Sequence, residues 1–334
     1  MKIIKITLLT AVSLMSFKLT AAPNAAAFTR VNQIGAEYVA MGCTGEATAE
    51  DIFAMYWNPA GLVNMADKKL SVEQDVREKA KNGEIDQITE EDLKNFSKPT
   101  KKNFFVFGSS ASMLDADRQI VFGAAAFNIK RNVLAFGISS VYSGGIEKRD
   151  SSGNYEGETF YSGSAGYISY GYYLKSTSVG FSIKPLYETV DNQTYAGGSA
   201  DVGIKTEIFK LVKIGFVFQD IGIGLYPVSH DENINERYER GSSTARVGFA
   251  ISPQNSNFVA SSSIIKKLES DDALLNFGIK YTVYDSFAVA AGFSENNFTG
   301  GCKIGFSIFE ISYSLVLDNI DDNYNNTVSL MMVF

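Results

Sequence analysis

From Asn103 onward, hydrophobic and polar residues alternate with the two-residue period that predicts β-strands. In Leu274–Val283, for example, one face carries Leu, Phe, Ile, Tyr and Val, and the other carries Asn, Gly, Lys and Thr. The same contrast recurs in Ser178–Tyr187. One face of each predicted strand is apolar, and the opposite face is Gly, Ser, Ala or charged. A soluble β-sandwich and a membrane β-barrel both alternate in this way, so the connections must decide between them.

The connections favour a transmembrane β-barrel. Working backwards from Phe334, the pattern predicts about 14 strands, with short turns at one end and long polar loops at the other. The predicted strands are 103–113, 118–128, 132–145, 158–173, 177–190, 196–208, 211–220, 240–252, 256–267, 271–283, 286–294, 298–308, 310–317 and 325–334. Side chains alone do not fill a barrel of this width. The predicted fold is therefore all-β, an antiparallel transmembrane barrel with a small N-terminal helical plug in its lumen.

Residues 1–27 have the features of a secretory signal peptide. Two lysines precede the apolar run Ile6–Phe17, and small residues follow, so that cleavage after Ala22 and cleavage after Ala27 both remain open. The run is too short to cross a bilayer as a helix, which needs roughly 20 residues. A buried first strand or helix is the alternative, but export is the better interpretation.

Residues 28–102 are predicted to hold the plug and a charged insertion, ahead of a barrel at 103–334. The insertion is Lys68–Lys102, in which Leu70–Val76 is either a strand of the barrel or part of the insertion. Thr89–Phe96 resembles a short amphipathic helix with a threonine N-cap.

The plug itself does not alternate and is predicted to contain two short helices. These are Ala36–Met41 and Thr48–Trp57, the second with Thr48 and Asp51 in capping-box spacing. Asn58 precedes a proline, which disfavours helical backbone, so the second helix should end there.

Composition and charge exclude several functions. With 45% hydrophobic and 20% charged residues the chain is neither disordered nor a helical membrane protein, and 24 Phe and 17 Tyr suit the aromatic girdles of a barrel. A net charge of −7 argues against a nucleic-acid partner. The single histidine, His230, lies in a predicted loop without a nucleophile–base set. Asp271-Asp272 and Asp318–Asp322 are better explained as solvated carboxylates than as a calcium site. We therefore predict neither an enzyme nor a bound metal or cofactor.

Two groups of residues in the predicted lumen carry open alternatives. Cys43 and Cys302 either form a disulfide between plug and wall or are two separate buried thiols. Basic residues on the inner faces of different strands either hold the plug, bind an anionic ligand head group, or simply make the lumen polar. These residues are Lys184, Lys213, Arg246, Lys280 and Lys303.

Ala47–Asp51 followed by Tyr56–Leu62, behind a signal peptide and before a strand series that ends in Phe334, resembles the N-terminal hatch signature of the FadL-type superfamily. Within that superfamily, the chain resembles the branch of PorV- and PorQ-like proteins and the FadL-like proteins of spirochaetes. The resemblance implies a 14-stranded barrel in the outer membrane of a diderm bacterium, surrounded by outer-membrane lipid. It also implies that the terminal phenylalanine is the signal for the outer-membrane assembly machinery.

By the same resemblance, the barrel takes up hydrophobic small molecules such as long-chain fatty acids through a hatch-gated lumen. The hatch or gate residues would be Asn58, Pro59, Ala60 and Gly61, and a kink in the third strand at Gly144 and Gly145 would allow lateral opening. The PorV-like branch implies the alternative of an accessory or scaffold barrel that serves protein secretion through a partner protein, without solute transport.

Overall fold

A computed structural model describes most of the chain after the predicted signal peptide. The described residues are 33–65, 104–114, 117–129, 132–174, 177–191, 193–209, 211–228, 239–253, 256–269, 273–317 and 324–334. The predictions for the signal peptide, for Lys68–Lys102, for His230, and for the acidic runs Asp271-Asp272 and Asp318–Asp322 lie outside them. Within the described residues, no helix is long and apolar enough to cross a membrane.

The predicted barrel is confirmed: fourteen long antiparallel strands form a closed ring. In chain order the strands are β1 Phe105–Leu114, β2 Arg118–Ile129, β3 Asn132–Arg149, β4 Tyr155–Leu174, β5 Thr177–Val190, β6 Gln193–Ile208, β7 Val212–Pro227, the two-residue β8 Glu239–Arg240, β9 Thr244–Ile251, β10 Phe258–Lys267, β11 Ala273–Tyr284, β12 Phe287–Ser294, β13 Asn297–Phe306, β14 Phe309–Leu317 and β15 Tyr324–Val333. The first and last strands pair and close the ring, and β8 extends one edge of β7.

The outer face of the barrel is apolar and exposed. On β11, Phe277 and Ile279 are 52% and 49% exposed, whereas Asn276 between Leu275 and Phe277 is fully buried in the lumen. Similar exposed Phe, Ile, Val, Leu and Tyr residues surround the barrel. A continuous apolar surface of this kind is not stable in water but is the surface that a membrane barrel presents to lipid.

The barrel wall is taller on one side. Strands β3–β7 contain 14 to 20 residues each, whereas β9–β15 contain 8 to 12. A membrane crossing needs about 9–11 residues, so β3–β7 extend beyond the bilayer. We call the end with Phe105 and Phe334 the terminal rim and the opposite end the loop rim. The boundaries predicted for β3, β4 and β7 were too short there, because pairing continues past the membrane, as far as Arg149 with Tyr155.

Residues 33–65, which we call the hatch, fill the lumen. They form helices α1 Ala36–Ala40, α2 Gly45–Thr48 and α3 Ala54–Trp57, followed by a 3-10 helix, Pro59–Val63. The predicted single helix Thr48–Trp57 is wrong, because Ala49 is extended and separates α2 from α3. The predicted capping box is wrong as well: Thr48 donates to the Thr44 carbonyl, and Asp51 accepts from the Phe53 amide. The predicted stop at Asn58 is confirmed.

Cys43 and Cys302 are not joined by a disulfide. Cys43 is buried in the hatch, where burial raises the pKa of its thiol to about 12. Cys302 lies between Gly301 and Lys303, which face the lumen, and its side chain therefore points to the outside of the barrel. The plug-to-wall disulfide is wrong because alternation along β13 turns the second sulfur away from the lumen.

Candidate functional site

The contact between the hatch and the wall defines the candidate site. Glycines on the strands allow the hatch to approach the wall closely. A methyl group on Gly180 would lie 2.2 Å from the carbonyl carbon of Pro59, and one on Gly278 would lie 2.1 Å from the carbonyl oxygen of Met41. Both distances are too short for a side chain, so hatch backbone packs directly on strand backbone. At other strand glycines an added methyl group would meet hatch side chains instead. We call the strand glycines that touch hatch backbone or side chains the hatch seat: Gly108, Gly137, Gly171, Gly180, Gly203, Gly215, Gly248, Gly278, Gly292 and Gly301.

The Asn-Pro-Ala-Gly segment anchors the hatch to β5 and β6. Asn58 is fully buried, and its side-chain amide donates to the carbonyls of Glu46 (2.8 Å) and Ile204 (3.3 Å). Its side-chain oxygen accepts from the Ala60 amide at 3.1 Å and begins the 3-10 helix. The structure places Asn58–Gly61 in the hatch, while the gating role of these residues stays a prediction.

A fully buried ion pair joins the hatch to β9. Arg246 Nε lies 2.6 Å from Glu46 Oε1, and the two side chains are 3% and 0% exposed. The guanidinium carbon also lies 5.1 Å from the ring centroid of Trp57, a cation–π contact. Trp57 in turn donates from its indole nitrogen to the Ile34 carbonyl at 2.9 Å. Removing one partner of such a pair would leave a buried, unbalanced charge.

Two more hatch glutamates pair with the wall on the side of the terminal rim. Glu50 lies 2.9 Å from Lys205 on β6 and 2.6 Å from Lys213 on β7. Lys205 was missed by sequence reasoning, although it faces the lumen by the same alternation that places Lys213 there. These contacts outweigh burial, which by itself raises the pKa of Glu50, and hold that pKa well below its usual range.

Glu37 of α1 makes the third connection. It lies 2.6 Å from Lys280 on β11 and 2.7 Å from Lys303 on β13, which also pairs with Glu310 at 3.3 Å. Burial raises the pKa of Glu37, but the two ammonium groups outweigh it and hold the pKa at about 2. Of the five predicted basic residues, four therefore pair with hatch glutamates: Lys213, Arg246, Lys280 and Lys303.

Against β2–β5, the hatch presents apolar groups instead. The ring of Phe53 contacts that of Phe122 on β2, with centroids 5.8 Å apart, and Phe122 contacts Tyr167 on β4 edge to face. Leu62 and Val63 of the 3-10 helix pack on the seat glycine of β4. This side of the hatch is held by dispersion and burial, which have no preferred direction.

Apolar residues continue from this contact along the lumen towards the loop rim, on β2–β7. They are buried and point inward: Ile120, Phe122, Val141, Leu186, Ile223 and Leu225. Sequence reasoning treated the inner face as Gly, Ser, Ala or charged and missed this apolar lining. The available signal was the run Ile120–Phe122, where hydrophobic residues occupy both faces of one strand.

Three of the predicted residues, Gly144, Gly145 and Lys184, do not contact the hatch seat. Gly144 and Gly145 together face only Phe160 on β4, and the φ of Gly145 is +65°, so β3 has a β-bulge there. Its use as a lateral opening stays a prediction. Lys184 contacts Asp201 at 2.7 Å and Asp220 at 2.5 Å, both on the wall.

These features define a class: a closed membrane β-barrel of 14 strands, plugged by an N-terminal hatch, with an apolar lining on one side of the lumen. No family model and no curated protein sequence matches the chain. Among solved structures it resembles the toluene transporter TbuX of Ralstonia pickettii, with a TM-score of 0.56 and 13% identity over 91% of this chain and 98% of that one. It also resembles the toluene transporter TodX of Pseudomonas putida, with a TM-score of 0.56 and 11% identity over 95% of this chain and 98% of that one. At these identities the likeness concerns the fold.

Proposed function

We propose that this chain is an outer-membrane channel of a diderm bacterium that takes up hydrophobic small molecules past its hatch. The observation that carries the proposal is the buried apolar lining, which runs along β2–β7 from the loop rim to the apolar side of the hatch. A polar solute gains nothing from such a surface, whereas a hydrophobic molecule loses its contact with water along it. The fold shared with TbuX and TodX supports the proposal.

The hatch acts as the gate in this proposal. The ion pairs of Glu37, Glu46 and Glu50 hold one side of it in place, and the apolar side shifts to admit the ligand. The bulge at Gly144 and Gly145 lies in the tall wall on the same side and supplies the lateral exit. Neutral hydrocarbons suit this path better than fatty-acid anions, because the lysines and the arginine that face the hatch already have carboxylate partners.

The test is uptake by cells of a diderm host that lacks its own transporter for fatty acids and aromatic hydrocarbons. Labelled toluene and a labelled long-chain fatty acid are supplied separately, and heat-modifiable gel mobility confirms that the barrel is folded. We expect toluene uptake above the empty-vector level and lower uptake of the fatty acid.

Replacing both Gly144 and Gly145 with alanine tests the lateral exit, because φ at Gly145 is +65° and alanine is strained there. We expect slower toluene uptake than in the Gly123→Ala control, since no atom lies within 4 Å of a methyl group at Gly123. Unchanged uptake would remove the bulge from the mechanism. A folded barrel that takes up neither substrate would contradict the proposed function and support a scaffold role in secretion.

A further inference from the structure

Three charged side chains lie together in the lumen between β5, β6 and β7. Lys184 Nζ is 2.7 Å from Asp201 Oδ1 and 2.5 Å from Asp220 Oδ1, and none of the three side chains is more than 7% exposed. Ser199 donates to Asp220 at 3.1 Å, and the Asp220 amide donates to Asp201 Oδ1 at 2.9 Å. We call Lys184, Asp201 and Asp220 the acidic triad.

The acidic triad has one positive and two negative charges, so its net charge is −1. A buried net charge is costly unless further partners complete it. Asp201 Oδ2 is buried and has no hydrogen-bond partner among the described residues. This oxygen is a buried acceptor that no donor among the described residues satisfies.

The triad lies just beyond the hatch, on the side of the loop rim. Asp201 is two residues along β6 from Gly203, the seat glycine that holds Asn58, and Lys184 is four residues along β5 from Gly180. The ammonium group of Lys184 is 6.0 Å from the ring centroid of Tyr167, within the apolar lining. A hydrophobic molecule that follows the lining towards the hatch therefore meets the triad at the end of its path.

Two bulges in β7 create this arrangement. Pairing between β6 and β7 shifts register twice between Gly198 and Val202, and φ is positive at Asp220 (59°) and Gly222 (68°). As a result, Gln219 and Asp220 are both buried although they are neighbours on one strand. Bulges re-aim side chains, and they are common next to functional sites.

The basic side chains described near the triad do not form a binding site for an anion, because they already have carboxylate partners. The lysines and the arginine that face the hatch are each within 3 Å of a hatch carboxylate, and Lys184 is within 3 Å of two aspartates. A carboxylate ligand would have to displace one of them, and it would be repelled by the triad. A hydroxyl or an ammonium group would instead donate to Asp201 Oδ2.

We propose that the acidic triad is the polar end of the ligand site, and that it selects hydrophobic molecules with one hydrogen-bond donor over carboxylates. The proposal rests on the proposed uptake function and names the substrate class of that channel. It argues against one of the alternatives that the sequence left open, an anionic head group held by the basic residues of the lumen. Two features discriminate between ligands. Asp201 Oδ2 accepts a hydrogen bond from ligands that carry a donor, and the net negative charge of the triad repels carboxylates.

The test uses four ligands that share one ring and one side-chain carbon: toluene, benzyl alcohol, benzylamine and benzoate. Binding to the purified full-length protein in detergent is measured by calorimetry. A hydrogen bond to a charged group strengthens binding by about tenfold or more, so we expect benzyl alcohol and benzylamine to bind about tenfold or more tightly than toluene. Benzoate should bind more weakly than toluene. Equal affinities for benzyl alcohol and benzylamine would mean that hydrogen bonding dominates. Tighter binding of benzylamine would mean that the net charge of the triad adds to the hydrogen bond. Both results support the site.

Asp201→Asn neutralises the triad without changing its shape, and Asp191→Asn, in the partly exposed pair with Lys148, is the matched control. We expect Asp201→Asn to lose most of the preference for benzylamine and to bind toluene as the wild type does. Retention of the wild-type order in this variant would overturn the proposal, as would tight benzoate binding by the wild type. If the variant does not fold, the wild-type ligand series decides alone. A folded barrel that takes up neither toluene nor the fatty acid in cells would instead remove the proposed function itself.

Discussion

The two sides of the hatch are held by different forces. Towards β6–β13, three glutamates form ion pairs with basic residues of the wall, and one of these pairs is completely buried. Towards β2–β5, the hatch packs through apolar side chains such as Phe53 and Leu62. The charged side fixes position because its contacts are directional, whereas the apolar side tolerates displacement because its contacts are not.

Under the proposed function, this difference indicates where a hydrophobic ligand would pass. The apolar lining of the lumen, the tall strands and the bulge at Gly144 and Gly145 all lie on or next to the apolar side. A ligand entering there replaces apolar contacts with apolar contacts, at little cost in free energy. On the charged side it would have to separate buried ions, which is far more costly.

The largest effect should come from breaking the buried pair on the charged side. Glu46→Gln leaves the guanidinium of Arg246 buried without its counter-charge, which costs about 3–5 kcal/mol. We expect the hatch to be displaced, so that ionic current through single barrels in a planar bilayer rises well above wild type. The control is Glu310→Gln, since Glu310 is 39% exposed and its pair with Lys303 is worth little. Wild-type current in Glu46→Gln would show that the charged side does not hold the hatch.

A smaller effect is expected from crowding the hatch seat. Gly180→Ala places a methyl group 2.2 Å from the Pro59 carbonyl carbon, and overpacking of this kind costs about 1–3 kcal/mol. Gly123→Ala is the matched control, because its methyl group meets nothing within 4 Å. Hydrogen exchange of hatch amides should accelerate in the first variant only. Equal protection in both variants would mean that the hatch does not rest on strand backbone at this glycine.

On regularly paired strands, the alternation of residues was enough to predict that certain lysines face the lumen. Lys213 and Lys280 were placed correctly, because each strand has only two faces and one of them is apolar. The partners of these lysines could not be predicted, since alternation shows that a lysine faces the lumen but not how deep in the barrel it lies. Lys184 and Lys213 look alike in sequence, yet one pairs with wall aspartates and the other with Glu50.

The acidic triad was beyond sequence reasoning for a different reason. Counting in twos assigns Gln219 and Asp220 to opposite faces, but the bulges in β7 bury both. The predicted helix Thr48–Trp57 was wrong because packing in the lumen, where Lys205 donates to the carbonyl of Ala49, replaces the regular hydrogen bonds of a longer helix. In both places long-range contacts decide the local structure.

On the apolar side, Phe53→Leu should have a modest effect. It removes the ring contact with Phe122, which is worth about 1 kcal/mol, and keeps most of the buried volume. We expect slightly faster hydrogen exchange in α3 and no rise in ionic current, in contrast to Glu46→Gln. Phe277→Leu, on the 52% exposed outer face, is the control. An ionic leak as large as that of Glu46→Gln would remove the distinction between the two sides.

The smallest effect should be a dependence on pH that originates in the hatch. Burial, and then the negative charge of Glu37, raise the pKa of Asp51 to about 7, and Tyr38 donates to its carboxyl group at 2.8 Å. Once the hatch leaves its seat and Asp51 is solvated, its pKa returns to about 3.9. The seated state therefore binds the proton more tightly, so its advantage is complete at low pH and is lost as pH rises through 7.

We accordingly expect hatch amides to exchange faster at pH 8 than at pH 6, after correction for the intrinsic rate. Glu37, with a pKa of about 2, stays charged throughout and does not contribute. Asp51→Asn, which cannot ionise, should abolish the difference and keep the stronger protection at both values. A difference that persists in Asp51→Asn would assign the pH dependence to another group. Since Asp51 follows Glu50 directly, such a result would indicate that the pH dependence comes from the charged side and its lysines rather than from the apolar side.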